Sequence, residues 1–491
     1  MNLAVEFAAV AQANLSKTAV FWGDATVSYG QLLAQARWLG ARLVKELGVK
    51  PGDRVALLLK NRPEFLPAMF AVLEAGAVVV PINNFLKPDE VGYILNDGGI
   101  DVLITEAGLG ETLARLKTLR AGLNVWEVEG FAGADSNAGG AGPGAQRAEN
   151  DLAVIIYTSG TTGHPKGAML SHGNLLHNVA SCKIVLATVD VDRFVLLLPM
   201  FHSFMLTVCE LLPLLVGGSI VLIKHLQSPK MMLHEIITHQ ATVLAAVPQF
   251  FRMLAGGGAP KDLPLRVCIS GGAPLPGEIL KEFNAKMPLP LLEGYGLSEA
   301  SPVVSMNPLR GPWREGSIGV PIPNVEVSVQ DEEGRMLGVN ETGEICVRGG
   351  NVMQGYWNQP EETKKALRDG WLLTGDVGHR DSDGYFYITD RKKDMLLVNG
   401  INVYPREIEE VIYQFPGIKE AAVIGKPDPR KGEQPVAFVA SESSVDEKAL
   451  LHFIKEKLAD YKVPRKVVVV PALPRNATGK ILKTALRKMD V

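Results

Sequence analysis

The chain has 491 residues, of which 47% are hydrophobic and 21% charged, and its formal net charge is −3. This length exceeds one ordinary hydrophobic core, so we expect at least two domains, and the composition excludes an intrinsically disordered chain. The balance of charge also argues against nucleic acid as a partner.

The cysteines and the apolar runs indicate the cellular compartment of the protein. The four cysteines are far apart and form no C-x-x-C pair, which argues against a disulfide framework or a structural zinc site. Because the first residues carry no basic segment, no signal peptide is expected, and we predict a cytoplasmic protein. The longest apolar stretch, 205–223, contains Glu210, Pro213 and Gly217-Gly218, so it predicts a buried helix, a glycine turn and a buried strand rather than a membrane span.

Strand-like and helix-like segments alternate through the first 300 residues. This alternation predicts an α/β fold with parallel-rich sheets in a large, multi-layered N-terminal domain. The apolar runs that we interpret as strands are 55–59, 101–105, 152–156, 194–198, 242–247 and 265–269. From about residue 320, shorter strands separated by turn residues predict a small β-rich subdomain.

A charged run, 390–393, marks a predicted domain boundary. We expect a large domain over 1–391 and a small, mobile α+β domain over 392–491. In the small domain Pro405 suits the first position of a helix, and apolar residues follow it at helical spacing. A mobile small domain beside a nucleotide site suits multistep chemistry.

The stretch 157–167 reads Tyr-Thr-Ser-Gly-Thr-Thr-Gly-His-Pro-Lys-Gly and follows a predicted buried strand. Glycines let a backbone approach a ligand closely, and successive N–H groups, hydroxyls and an ammonium can surround an anion. The stretch therefore predicts a polyphosphate cradle. It is not a Walker A loop, because Gly167 rather than Ser or Thr follows Lys166. A plain surface loop is the alternative.

The stretch resembles the phosphate loop of the adenylate-forming enzymes, which include acyl-CoA synthetases, aryl-CoA ligases and adenylation domains. Further stretches resemble other motifs of that family and occur in the same order. They are 295–300 for adenine and magnesium, 374–376 for ribose, 390–394 for the hinge, and 399–405 and 474–480 in the C-terminal region. The resemblance extends from about residue 30 to the end of the chain.

The resemblance implies a role for each matching residue. ATP or AMP would contact Thr158, Ser159, Gly160, Thr161, Thr162, Gly163, Lys166, Gly272, Ala273, Glu293, Gly294, Tyr295, Gly296, Ser298, Asp376 and Arg391. Mg²⁺ would bind Thr158 and Glu299, and Lys480, Glu299 and His202 would be catalytic. Lys393 would be the hinge, and Gly400 would line the coenzyme A tunnel. Each residue alone has a plainer interpretation, such as a turn glycine or a solvated lysine.

The acyl site is predicted near 201–204, 247–249, 271–273 and 302–304. Amino-acid-activating relatives carry an aspartate where this chain has His202, which favours an uncharged acyl tail. His202 could equally be a core histidine.

The resemblance implies an ATP-dependent, AMP-forming carboxylate–CoA ligase that acts through an acyl-adenylate on medium- or long-chain fatty acids. The alternatives are an aryl-CoA ligase, an adenylation enzyme that loads a carrier protein, a luciferase-like oxygenase and a non-catalytic nucleotide-binding regulator. The expected partners are a small carboxylic acid, ATP, Mg²⁺ and coenzyme A. A peripheral membrane contact and a homodimer are left open.

Overall fold

Three β-sheets organise the chain in a computed structural model that describes residues 2–133, 145–158, 165–256, 260, 262–428, 432–441, 445–476 and 479–489. Its strands are β1 Thr18–Trp22, β2 Ala25–Ser28, β3 Arg54–Leu58, β4 Val78–Pro81, β5 Val102–Thr105, β6 Asn124–Glu127, β7 Leu152–Thr158, β8 Lys166–Ser171, β9 Arg193–Leu196, β10 Ser219–Leu222, β11 Val243–Ala246, β12 Val267–Ser270, β13 Leu291–Gly296, β14 Val303–Met306, β15 Ser317–Pro321, β16 Val325–Gln330, β17 Gly343–Gly349, β18 Gly355–Tyr356, β19 Leu367–Arg368, β20 Trp371–Arg380, β21 Phe386–Arg391, β22 Leu396–Val398, β23 Ile401–Val403, β24 Ile418–Asp428, β25 Gly432–Ser441 and β26 Lys466–Val469.

Helices cover these sheets. They are α1 Leu3–Ala13, α2 Tyr29–Lys45, α3 Phe65–Glu74, α4 Pro88–Asp97, α5 Gly110–Leu119, α6 His172–Val185, α7 Leu212–Val216, α8 Pro229–Thr238, α9 Pro248–Gly256, α10 Gly277–Lys286, α11 Pro360–Ala366, α12 Pro405–Tyr413, α13 Glu447–Lys457 and α14 Lys483–Arg487. A π-helix, Met205–Leu211, precedes α7, and short 3-10 turns cover Val128–Gly133, Ser298–Ala300 and Asp460–Lys462.

The two large sheets belong to the N-terminal domain. One has seven strands in the order β18-β8-β7-β4-β3-β5-β6, and the other has fourteen, in which β16-β17-β20-β21-β15-β14-β13-β12-β11-β9-β10-β1-β2 form a path and β19 joins β20. Strands β3 to β7 pair in parallel, as do β9 to β13, whereas β14 to β21 pair antiparallel. The sheets are therefore mixed, and the predicted β-rich subdomain is the antiparallel end of the longer sheet.

The predicted strands coincide with observed ones because apolar, β-branched runs are buried on both faces of a sheet that helices cover. All four residues of β4, β5, β10, β11 and β12 are buried. A smaller third sheet, in the order β23-β22-β25-β24 with β26 beside β25, forms the C-terminal domain. The α/β fold with a large N-terminal and a small C-terminal domain is confirmed.

Helix starts follow the expected capping chemistry. Ser171 caps α6, accepting a hydrogen bond from the Asn174 backbone while the Asn174 side chain accepts one in return. Pro405 opens α12, whose buried face includes Ile408, Val411 and Ile412.

The apolar stretch 205–223 forms the predicted buried helix and strand, but its helix starts as a π-helix. The Leu212 N–H donates to the Thr207 carbonyl, five residues back. Pro213 has no N–H for the next bond and its ring crowds the preceding turn, which favours this wider geometry. Gly217 ends the helix with φ +81°, a left-handed conformation that suits glycine. Burial raises the pKa of Glu210 and thus favours the uncharged form of this carboxyl inside the core.

All four cysteines are buried and free. None of the helices within the described residues combines the length and apolarity that crossing a membrane requires.

Candidate active site

A cavity opens where the small domain meets the carboxyl ends of β11, β12 and β13 in the large domain. The large domain contributes lining residues predicted from the nucleotide motifs, namely Gly272, Ala273, Glu293, Gly294, Tyr295, Gly296, Asp376 and Arg391. The small domain contributes Arg406, Glu409, Glu410, Gly479, Lys480 and Lys483. Residues from distant stretches of the sequence therefore converge on one cavity, at the sheet edge where α/β folds bind ligands.

The ribose motif is held by a direct cross-strand pair. Asp376 on β20 lies opposite Arg391 on β21, and the Arg391 Nε is 3.0 Å from the Asp376 Oδ1. The Tyr295 hydroxyl donates to Asp376 Oδ2 at 2.6 Å. Burial, reinforced by the charge of Asp376, raises the pKa of Tyr295, so the phenol keeps its proton and remains a donor. The carboxylate of Asp376 is therefore fixed in orientation at the cavity wall, as recognition of a vicinal diol requires.

The predicted magnesium ligands lie side by side. Thr158 is the last residue of β7, and its Oγ1 is 3.4 Å from Oε1 of Glu299 in the 3-10 turn Ser298–Ala300. The Tyr356 hydroxyl donates to the same Glu299 oxygen at 2.9 Å. One carboxylate and one hydroxyl, completed by phosphate oxygens and water, is a donor set that Mg²⁺ accepts, so these residues fit the ion.

Lys166, the predicted phosphate lysine, begins β8 directly opposite Thr158 in the antiparallel β7–β8 pair. Ser159, Gly160, Thr161, Thr162 and Gly163, which complete the predicted cradle, lie outside the described residues. The Lys166 ammonium forms an ion pair with Glu362 and lies 5.1 Å from the centre of the Tyr356 ring. The hydrogen bond from Lys166 lowers the pKa of Glu362 to about 2.

The sequence reasoning did not identify Tyr356 and Glu362. Both belong to the segment Gly355–Thr363, in which β18 pairs with β8 and α11 begins at Pro360. An acid near the start of a helix usually faces solvent. The usable signal was that the segment lies between the magnesium motif, 295–300, and the ribose motif, 374–376, and carries two large aromatic residues, Tyr356 and Trp357.

Lys480 reaches the cavity from the small domain. Burial, together with the positive charge of Arg391, lowers its pKa to about 8. Burial also lowers the pKa of His202 to about 4, and the Lys480 charge adds to this effect. The His202 Nδ1 accepts a hydrogen bond from the Phe204 N–H at 3.2 Å, which leaves the proton of the neutral ring on Nε2. The site thus combines a cationic lysine with an uncharged histidine.

Three other residues predicted to contact the nucleotide also have a structural role. A Cβ on Gly296 would lie 2.1 Å from the Pro302 carbonyl oxygen, so the close approach of β13 and β14 by itself requires glycine there. Ser298 Oγ is 2.9 Å from Ser203 Oγ, a contact that links the 3-10 turn Ser298–Ala300 to the predicted acyl segment 201–204. Glu293 Oε1 accepts from the Leu275 N–H at 3.0 Å, and burial raises the pKa of Glu293 to about 7.

Several predicted residues do not line this cavity, namely Thr158, Lys166, His202, Ser298, Glu299, Lys393 and Gly400. Gly400 forms the exposed turn between β22 and β23 with φ +78°, and a Cβ there would meet no atom within 4 Å. Lys393 is exposed and follows β21 by two residues, but its positive charge contributes to the lowered pKa of Lys480, so it lies close to the cavity. The structure thus brings the residues of the predicted adenine and ribose motifs together with Lys480 in one cavity, whereas Gly400 lies on an exposed turn.

The sequence reasoning also missed a contact between the domains. Arg252 on α9 donates to the main-chain carbonyls of Lys419 at 2.6 Å and Ile418 at 3.1 Å in the small domain. The same guanidinium pairs with Glu282 at 3.1 Å, which holds its plane. These bonds stabilise the domain arrangement that places Lys480 in the cavity.

Comparison with known proteins identifies the family to which this chain belongs. Residues 7–357 match the family model for AMP-binding enzyme, and residues 407–480 match that for AMP-binding enzyme C-terminal domain. A feruloyl-CoA synthase from an Amycolatopsis species is 38% identical over 478 residues, covering 96% of this chain and 95% of that protein. A long-chain-fatty-acid–CoA ligase from Bacillus subtilis is 35% identical over 514 residues, covering 96% and 91%.

A solved structure, ATP-bound MatB from Rhodopseudomonas palustris, matches with a TM-score of 0.91 and 34% identity over 99% of both chains. The similarity to both a feruloyl-CoA synthase and a fatty-acid ligase leaves the predicted fatty-acid specificity unresolved. The matches cover both domains and agree with the motifs gathered in the cavity. The chain therefore belongs to the AMP-binding enzyme family of adenylate-forming proteins, as an AMP-forming acid–CoA ligase.

Proposed function

We propose that the protein activates a medium- or long-chain fatty acid with ATP and transfers the acyl group to coenzyme A. The observation that carries this proposal is the presence of Lys480, from the small domain, in the same cavity as Tyr295, Asp376 and Arg391. In the first step a carboxylate oxygen attacks the α-phosphorus of ATP, an acyl-adenylate forms and pyrophosphate leaves. Two anions must approach each other, so positioning and charge neutralisation supply most of the catalysis.

Each side chain has a distinct part in that step. Asp376 and Arg391 hold the ribose, Lys166 contacts the β- and γ-phosphates, and Lys480 bridges the attacking carboxylate and the α-phosphate. Thr158 and Glu299 would hold Mg²⁺, which supplies positive charge to the phosphate oxygens when bound. The position of Glu299 beside Thr158, with its Oε1 held by the Tyr356 hydroxyl at 2.9 Å, supports this assignment.

The second step requires the small domain to present another face. We infer that residues 392–491 rotate as a unit about Lys393, which follows the last strand of the large domain. The Gly400 turn then lines the path of the pantetheine thiol. The thiol sulfur attacks the acyl carbonyl, AMP leaves, and a thioester forms. The exposure of Gly400 in the present arrangement supports a turn that serves another domain orientation.

The acyl tail is proposed to be uncharged and aliphatic. The Met205–Leu211 π-helix that continues from His202 is fully buried, and Phe204 packs so closely on Gly271 that a Cβ there would lie 2.9 Å from its ring. The low pKa of His202 leaves no fixed charge to pair with a polar substrate head group. An aryl acid is the second candidate, and the similarity to a feruloyl-CoA synthase favours it.

A carboxylate panel tests both candidates. Octanoate, palmitate, cinnamate, ferulate and an amino acid would each be given to the purified protein with ATP, Mg²⁺ and coenzyme A, and pyrophosphate release measured. We expect the highest kcat/KM for a fatty acid and none for the amino acid, with Lys480→Ala as the inactive control. A preference for ferulate would replace the fatty-acid assignment with the aryl one. Acceptance of a phosphopantetheinyl carrier instead of coenzyme A would identify a carrier-loading enzyme.

A further inference from the structure

The segment Gly355–Thr363 docks beside Lys166, and its Glu362 has no part in the steps above. Tyr356 pairs with Ala168 on β8, and the Trp357 N–H donates to the Gly167 carbonyl at 2.8 Å. The Trp357 indole N–H also donates to the Asp97 carbonyl at 3.1 Å. These bonds fix the start of α11 against β8, so the approach of Glu362 to Lys166 is built into the fold.

The charges around Lys166 form a short chain. The Lys166 side chain is only 11% exposed and is paired with Glu362, which is 22% exposed. The other Glu362 oxygen lies 2.6 Å from the Lys365 ammonium, whose side chain is 73% exposed. A largely buried ammonium needs a compensating charge, and Glu362 supplies it. Pyrophosphate would offer the same ammonium several negative oxygens, so the two anions are alternatives for one cation.

We propose that Glu362 competes with pyrophosphate for Lys166 and thereby promotes release of this product after adenylation. While phosphates occupy the site, Lys166 turns to them. When pyrophosphate dissociates, Lys166 forms its ion pair with Glu362 again, so the ammonium is not left unpaired. Glu362 is thus a positioning residue that acts through Lys166 and does not touch the substrate. The inference rests on the proposed phosphate contact of Lys166.

The test is the inhibition constant of magnesium pyrophosphate in Glu362→Gln. Glutamine keeps the size of the side chain and removes its charge. Because partly exposed ion pairs contribute modestly, we expect pyrophosphate to inhibit about two- to fivefold more tightly, with KM for ATP lowered by a similar factor. Glu361→Gln is the matched control, since Glu361 lies one residue away on α11 and pairs with the exposed Lys364. It should leave both constants unchanged.

A second variant, Lys166→Met, distinguishes failure of the inference from failure of its premise, the phosphate contact of Lys166. In Lys166→Met, pyrophosphate should inhibit more weakly, and adding Glu362→Gln should change nothing further. If Lys166→Met weakens inhibition by pyrophosphate but Glu362→Gln leaves that inhibition unchanged or weakens it, the proposed competition is wrong. Glu362 then only holds Lys166 in position. If Lys166→Met does not alter pyrophosphate inhibition, the proposed phosphate contact itself fails.

Discussion

The low pKa of Lys480 predicts an alkaline limit on adenylation. The proposed bridging role of Lys480 requires the ammonium form, and the pKa of Lys480 is lowered to about 8 by burial and by Arg391. Because this pKa is lowered, Lys480 loses its charge as pH rises through about 8 rather than above 10. With a pKa of about 8 the charged fraction falls from about 90% at pH 7 to about 10% at pH 9, so kcat/KM for ATP should fall about tenfold over this interval. His202, with a pKa of about 4, should add no acidic limb above pH 5.

Lys480→Arg isolates this effect, because a guanidinium stays charged throughout this range. Its absolute rate should drop, since the planar group cannot reproduce the geometry of the ammonium, but its profile between pH 8 and 9, above the pKa of about 7 of Glu293, should be flat. Pyrophosphate release without coenzyme A would be followed across pH in both proteins. Lys483→Arg, whose lysine pairs with Glu409 at 2.7 Å, is the neighbouring control and should keep the wild-type profile. An alkaline limb of the same shape in wild type and Lys480→Arg would refute the reasoning.

Four further substitutions probe the rest of the site. Glu299→Gln should raise the magnesium concentration that gives half-maximal adenylation about tenfold or more, because charged contacts contribute about 1.5–3 kcal/mol; an unchanged magnesium titration would contradict the ligand assignment. Asp376→Ala should weaken ATP binding by about 1.5–3 kcal/mol in calorimetry, and equal affinity would rule out the ribose contact. Gly400→Leu should leave pyrophosphate release intact and block thioester formation from added acyl-adenylate, whereas equal loss of both activities in a folded protein would contradict domain alternation. Arg252→Ala removes two hydrogen bonds that hold the adenylation arrangement, so it should slow pyrophosphate release about tenfold while sparing that thioester assay; slowing of both steps alike would show that Arg252 does not select one arrangement.

The elements that the sequence predicted well are those decided by local burial. The run 152–156 is β7, and the stretch 205–223 gave its buried helix and strand in the predicted places. The π geometry of that helix was missed, since it depends on where Pro213 falls relative to the turn before it. Amphipathic patterns report burial but not hydrogen-bond spacing.

Several residues of the ordered motifs line the cavity, but the motifs did not predict their geometry. Nothing in the sequence states that Asp376 and Arg391 face each other, because strand register is a property of the assembled sheet. Glu362 lies 196 residues from Lys166 along the chain and sits in a helix whose acids and lysines pair locally. Its partner was therefore unpredictable from spacing. The choice between a fatty and an aryl acid depends on the shape of an apolar pocket, and apolar residues carry little information about shape.

The cross-strand pair of Asp376 and Arg391 also dictates how this protein could be recombined with a relative. Arg391 ends a strand of the large domain, and the third sheet starts at Leu396. A splice placed before Arg391 would take Asp376, the proposed ribose contact, from one parent and Arg391, its partner on the next strand, from the other. A junction within 392–395 would transfer the small domain whole, with Lys480 and Gly400 together. Chimeras cut on either side of Arg391 should therefore differ in nucleotide affinity where the relative carries another residue at this position, although they differ by only a few residues.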